Sequence, residues 1–243
     1  MRNKWYITDW SVTFFILTVG AVLFSWIGNI YGLEGVQSLL SAEGIRWALN
    51  HVIKDYVETP ALGIFMVFFM GLGIGVRAGL YEALNRYCRK ESHLSRKERR
   101  ALLFALMIMG GYLTLVLITL MLPWNFLQSI TGSWINSPLA KGGIYILSIG
   151  FGLSGMAYGY VSDVFRNVSD VVESMSCLIS KFACYLVALF FVVQFFSVCR
   201  YTRLGVWIGL SDVVVSFLFY ACCFLPVCML VYTSFWKSNH SKD

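Results

Sequence analysis

Charge is scarce in this 243-residue chain. Asp, Glu, Lys and Arg make up 13% of it, where an ordinary soluble domain carries about 25%. Hydrophobic residues reach 58% and the mean hydropathy is +0.70. A chain this apolar cannot cover a water-facing surface with polar groups, which excludes a soluble fold and a disordered one. The net charge of +6 comes from a few connecting segments rather than a basic face, so nucleic acid is not an expected partner. Histidine is equally sparse. His51, His93 and His240 stand in no HExxH or Ser–His–Asp arrangement, and neither zinc chemistry nor any other enzyme activity is expected. The seven cysteines form no CxxC pair and no metal-ligand spacing. Cys184, Cys199, Cys222, Cys223 and Cys228 lie in or beside apolar runs, while Cys88 and Cys177 stand alone. They read as small buried hydrophobes rather than ligands or redox groups. No cofactor and no metal is expected.

Long apolar runs are what the sequence does contain. A membrane helix needs roughly 20 mostly apolar residues. Residues 10–31, 59–80, 101–123, 142–162, 179–199 and 212–236 meet that requirement. The first run is too long for a signal-peptide core, and no small-x-small cleavage site follows it. Pro123 and Trp124 close the third near an interface. Residues 42–57 differ. Ile45, Leu49, Val52, Ile53 and Tyr56 share one helical face, while Arg46, Asn50, Lys54 and Asp55 fall on others. That pattern fits an amphipathic helix on the outer membrane surface, or one packed on neighbouring helices. The sequence thus predicts an all-α, polytopic membrane protein: one transmembrane domain over 1–243, with about six transmembrane helices and one external amphipathic helix.

Orientation follows from lysine and arginine, which concentrate on the cytoplasmic side of membrane proteins. With six spans, only Arg46, Lys54, Lys141, Arg200 and Arg203 of the 19 basic residues fall on one side. The other side holds both termini and the basic cluster Arg96, Lys97, Arg99 and Arg100. Both termini are therefore expected in the cytoplasm. The outer connection 124–140 carries Trp124 and Trp134, residues suited to the headgroup level.

Within the spans, Gly71, Gly75 and Gly79 repeat every four residues, as do Gly155 and Gly159. This small-xxx-small spacing lets membrane helices approach closely; glycines also permit the broken helices that line transporter sites. Gly71-Leu-Gly-Ile-Gly75 copies part of a dinucleotide fingerprint, but no strand precedes it and it lies in an apolar span, so that reading fails. Polar groups are expensive in a membrane and therefore informative. No ionisable Asp, Glu, Lys or Arg falls near a span midplane; Lys181 and Asp212 sit at span starts, where snorkelling and capping explain them. The interior polar set is Thr114, Thr119, Ser148, Ser154, Tyr158, Gln194 and Ser216. Gln194 stands out inside Leu189-Phe-Phe-Val-Val-Gln-Phe-Phe196, open to an interhelical hydrogen bond or to contact with an ion or substrate.

Several stretches resemble a known family. Gln37-Ser-Leu-Leu-Ser-Ala-Glu-Gly-Ile-Arg-Trp47, Thr59-Pro-Ala-Leu-Gly63, Gly71-Leu-Gly-Ile-Gly-Val76 and Ala78-Gly-Leu80 are similar to the start of the AbgT family, the p-aminobenzoyl-glutamate transporters. A second block, Tyr158-Gly159, Asp170-Val-Val172, Met175, Phe190-Phe191, Gln194-Phe195 and Leu204-Gly205, resembles a later stretch of the same family. The two blocks keep the family's order and cover roughly 10–80 and 142–210. The resemblance implies a secondary transporter of the bacterial inner membrane with inverted repeats and re-entrant hairpins. It also implies a homo-oligomer in membrane lipid, moving p-aminobenzoyl-glutamate or a related small organic anion with a coupling ion. Gln194 and Tyr158 are the substrate-binding candidates. The chain departs from the pattern where the connection between the third and fourth spans is short and lacks a hairpin. The family's Trp, Arg, Asp and Pro substrate positions find no counterpart. A shortened relative is expected, and beside transport stands the alternative of a non-transporting membrane partner or regulatory subunit.

Overall fold

The computed structural model of the chain describes residues 2–33, 35–89, 95–121 and 138–240. The Trp124 and Trp134 connection and His93 lie outside the described residues. All regular structure among the described residues is helical: α1 (Arg2–Ile30), α2 (Ala42–Val57), α3 (Pro60–Ala78), α4 (Leu80–Cys88), α5 (Arg96–Met121), α6 (Pro138–Val161), α7 (Val168–Lys181), α8 (Ala183–Thr202), α9 (Leu204–Trp207) and α10 (Asp212–His240). Five described stretches are long and apolar enough to cross a membrane: Asp9–Ile30, Ala42–Ala78 (α2 and α3 together), Arg96–Met121, Gly142–Val161 and Ala183–Thr202. Asp212–Pro226 is a shorter apolar helix. Large apolar side chains stand exposed along these helices, such as Phe15, Ile16 and Leu23 on α1 and Met107, Leu115 and Ile118 on α5. Such continuous apolar surface is what lipid covers. The all-α, multi-pass membrane architecture is the one the composition predicts.

Local chemistry sets the helix ends. Ser95 and Glu98 form a reciprocal capping box at the start of α5: the Glu98 N–H donates to Ser95 Oγ at 3.1 Å and the Ser95 N–H to Glu98 Oε2 at 2.9 Å. At the start of α7 the Asp170 carboxylate accepts from the N–H groups of Arg166 and Asn167 at 2.9 and 3.1 Å. Those two N–H groups hold the Asp170 carboxyl below the usual carboxylate range. Ser41 caps α2, accepting from the Gly44 N–H at 3.0 Å. Gly44 has no room for a side chain, since a Cβ there would lie 2.7 Å from Leu39 Cα. Pro60 occupies the first position of α3, where its missing N–H costs nothing and its fixed φ starts a helix. That separates α3 from α2 at Glu58-Thr59.

The chain forms two compact units, one of residues 1–63 with 182–243 and one of 64–181. In the second unit α3 and α6 meet through glycines. A Cβ on Gly155 would stand 2.7 Å from the Gly75 nitrogen, and one on Gly71 would collide with Ser148. Ser148 Oγ donates to the Val67 carbonyl at 2.6 Å across the same contact. Gly73 allows the same closeness toward α7, where a Cβ would be 2.6 Å from the Ser174 carbonyl oxygen. Gly79 acts differently, since its φ of +81° turns the chain into α4. Ile74, Ala83, Ala101, Leu102 and Tyr158 fill the apolar centre of this unit. Arg77–Glu173, Arg86–Glu98 and Lys97–Asp163 pair at its rim.

In the first unit aromatic rings carry much of the contact between helices. α1 lies along α8, with Phe14 against Phe195 and Phe15 against Phe191 at ring separations of 5.7 and 5.6 Å. Tyr185, buried on α8, donates its hydroxyl to the Cys223 carbonyl of α10 at 2.8 Å. Phe196 and Phe219 carry the same contact further along at 5.5 Å.

Candidate functional site

α2 is fastened to α8 in an antiparallel register. Trp47 stacks on Tyr201 at 4.4 Å. Gln194 Nε2 donates to the Val52 carbonyl at 2.8 Å. Tyr56 meets Phe190 edge-on at 5.3 Å and donates to the Leu186 carbonyl at 3.1 Å. The apolar face read from the sequence is therefore divided. Val52 and Tyr56 belong to the α8 contact, while Ile45, Leu49 and Ile53 remain exposed.

At the break between α2 and α3 this packing leaves a cavity of about 270 Å³. Asp55, Glu58 and Thr59 form one wall, Ser197 and Arg200 of α8 another, and Phe219 of α10 a third. Ser197 donates its hydroxyl to the Asp55 carboxylate, and Thr59 Oγ1 donates to the Asp55 backbone carbonyl at 2.6 Å. The Arg200 guanidinium carbon lies 5.5 Å from the centre of the Phe219 ring, a cation–π distance. Among the described residues Arg200 has no carboxylate within ion-pairing reach, although two carboxylates line its cavity. Its five donors are thus available to a planar anion. Interrupted helix backbone beside a polar cavity is the arrangement by which membrane carriers expose backbone and charge to a solute. No group of three His, Cys, Asp or Glu able to hold a metal occurs among the described residues.

The two residues singled out from sequence sit in different surroundings. Gln194 is half-buried, one turn from Ser197 on the helix that lines the cavity, with its amide engaged by α2. Tyr158 lies in the apolar centre of the second unit, 3% exposed. Each belongs to its own compact unit. The sequence reading places Asp55 on a polar helix face and Arg200 among the outer basic residues but singles out neither, nor Ser197, as a site residue. A signal was present: Asp55-Tyr-Val-Glu-Thr-Pro60 places two acids just before a helix-starting proline, and Ser197 and Arg200 continue the helical face of Gln194 at steps of three.

The described helices make a helical, multi-pass membrane protein. The model of the family described as "AbgT putative transporter family" matches residues 85–235, more than half of the chain. The chain belongs to the AbgT family of transporters. The match takes in the second of the two resembling blocks, with Tyr158 and Gln194. A stretch of 49 residues is 41% identical to the p-aminobenzoyl-glutamate transport protein of Escherichia coli K12. That stretch is 20% of this chain and 10% of that protein, so the match spans far less than two thirds of the relative's length. The crystal structure of the Alcanivorax borkumensis YdaH transporter, described as having an unusual topology, superposes with a TM-score of 0.72 over 91% of this chain and 83% of that one. Its sequence identity of 15% makes this a likeness of fold.

Proposed function

We propose that the chain takes part in moving a small aromatic organic anion, with p-aminobenzoyl-glutamate as the first compound to try, across a bacterial inner membrane. An ion gradient drives the movement, both termini face the cytoplasm, and the unit in lipid is a homo-oligomer. The observation that carries the reading is Arg200: a guanidinium resting on Phe219, without a carboxylate partner among the described residues, in a cavity at a helix break. A guanidinium binds a carboxylate bidentately, and Trp47, Phe196, Phe219 and Tyr220 line the cavity with apolar ring surface suited to an aryl group. Gln194 serves the site by holding α2 over it. The name of the Escherichia coli relative supports the choice of compound.

The test is uptake of labelled p-aminobenzoyl-glutamate into proteoliposomes holding only this chain. Arg200→Ala is expected to lower uptake about tenfold or more, the scale of one lost charge-assisted hydrogen bond. Tyr158→Phe, in the other unit, is expected to leave uptake within about twofold on the same scale. Equal uptake by Arg200→Ala and the unaltered chain would sink the assignment of the site. No uptake by a well-folded chain would favour the partner or regulatory reading instead.

A further inference from the structure

The ion pairs at the rim of the second unit do more than join helices. Arg77–Glu173 ties the end of α3 to α7, Arg86–Glu98 ties α4 to the start of α5, and Lys97–Asp163 ties α5 to the turn after α6. Asp170 is taken up by the backbone N–H groups of Arg166 and Asn167. These carboxylates are thus engaged within the fold, while Glu82 stays exposed on α4. Arg96 and Arg100 are exposed too, and have no ion-pair partner among the described residues.

One face of α5 enters the core through Ala101, Leu102 and Ala105. Arg96, Arg100, Leu103 and Met107 follow one another at steps of four, three and four, so they share a single stripe on the opposite face. All four are exposed, Leu103 by 47% and Met107 by 66%. Positive charge near the end of a span orients a membrane protein, but for that role lysine serves as well as arginine and nothing particular need continue beneath it. Here two forked cations stand one turn apart, and exposed apolar side chains carry on along the same stripe. Side chains on a helix lean toward its N-terminus, so both guanidinium groups lean away from the apolar part. Met107 lies roughly 10 Å further along the helix than Arg100, within one leaflet of a hydrocarbon core about 30 Å thick.

We infer that this face of α5 is a site for an anionic phospholipid, with the phosphate on Arg96 and Arg100 and an acyl chain lying over Leu103 and Met107. A guanidinium fork matches phosphate oxygens in pairs. The engaged carboxylates of the rim do not compete for these two cations. The apolar stripe selects lipid over a soluble phosphate, because a headgroup without chains would leave Leu103 and Met107 uncovered. A zwitterionic lipid covers the same stripe, but its own cation opposes the two guanidinium groups. The site lies wholly in the second unit and does not depend on the solute proposed for the cavity beside Arg200.

The experiment is titration of the purified full chain, in an uncharged detergent, with phosphatidylglycerol and with phosphatidylcholine of the same chains, read as retained lipid by native mass spectrometry. The unaltered chain is expected to hold phosphatidylglycerol about tenfold or more tightly, the scale of one charged hydrogen-bonded contact. Arg96→Gln with Arg100→Gln is expected to bring the two lipids within about twofold of each other, at an unchanged Tm, since neither side chain is ion-paired within the described fold. Arg96→Lys with Arg100→Lys keeps the charge without the fork and is expected to retain part of the preference. Arg46→Gln with Lys54→Gln removes the same charge from exposed positions of α2 and is expected to retain all of it. Glycerol phosphate, a headgroup without chains, is expected not to displace the bound lipid. Equal affinity of the unaltered chain for the two lipids overturns the inference. So does a preference that survives the paired glutamines on α5, or one lost equally in the α2 variant. Displacement by glycerol phosphate overturns the lipid as occupant in favour of a soluble phosphate.

Discussion

In the unit of residues 64–181, α3 and α6 approach until backbone nearly touches backbone; in the unit of 1–63 with 182–243, α8 meets its neighbours chiefly through rings, with side-chain hydrogen bonds between them. Gly155 against Gly75 and Gly71 against Ser148 leave no room at the α3–α6 crossing. The packing of α8 against α1, α2 and α10 is spread over Phe195, Tyr201 and Phe219, with Gln194 and Tyr185 bonding to backbone carbonyls. Close glycine crossings have little slack, because dispersion and backbone contact fall off steeply with distance. Aromatic packing around bulky side chains leaves space between them, and the cavity beside Arg200 lies among such rings.

The contrast breaks most severely at the glycine crossing. Gly155→Val puts a branched side chain where even a Cβ would be 2.7 Å from the Gly75 nitrogen. The neighbour is backbone and cannot rotate away. The cost is expected at or above the top of the range of about 1–3 kcal/mol for overpacking. Thermal denaturation in detergent should show a large fall in Tm or loss of the folded chain. Gly110→Ala on α5, where nothing lies within 4 Å of an added Cβ, is the matched control and should be neutral or mildly stabilising. If both variants behaved alike, glycine contact would not be what holds the second unit.

A smaller effect is expected at the tie between α2 and α8. Gln194→Leu removes the donor to the Val52 carbonyl, an interhelical bond of a kind that contributes about 0.6–2 kcal/mol in membranes. The Tm should fall modestly, while binding of the organic anion should weaken more, since α2 carries Asp55 and leads into Glu58 at the cavity wall. A loss of stability with unchanged binding would mean that the aromatic contacts alone keep α2 in register.

The smallest effect concerns acid. Asp170 has its carboxyl held low by the Arg166 and Asn167 N–H groups. A depressed folded-state value means stability that is present above the unfolded carboxylate value near 4 and is lost as pH falls through the lower folded value. Asp170→Asn should therefore lower Tm at neutral pH and converge with the unaltered chain at acid pH. The group is only partly buried, so a slight difference is expected, and a constant gap at all pH values would assign the effect to shape rather than charge.

Much of the architecture is legible in the amino-acid sequence. The apolar runs announce membrane helices because the bilayer imposes both their length and their composition. The spacing of Gly71, Gly75 and Gly155 announces a close crossing. Gly79 shares that spacing and does something else, because its positive φ places it in a turn rather than in the contact. Gln194 is visible as an amide in an apolar helix, but its partner is not. The sequence of α2 allows a surface helix or a packed one, and its apolar residues divide between those uses. The Ser95–Glu98 capping box that starts α5 has the usual three-residue spacing, although the apolar run alone served to place that helix.

The sequence by itself determined the class of protein, the helices and the places where helices could draw close. These are local properties: hydropathy, period and small-residue spacing act over one or two turns. Only the tertiary structure decided which polar groups meet. Ser197 reaches Asp55 and Gln194 reaches Val52 across 142 positions in each case. No local pattern fixes the antiparallel register between α2 and α8; it is set by how rings such as Trp47 and Tyr201 fit together. That fit leaves the space beside Arg200, and so it is packing, rather than any motif, that makes the site.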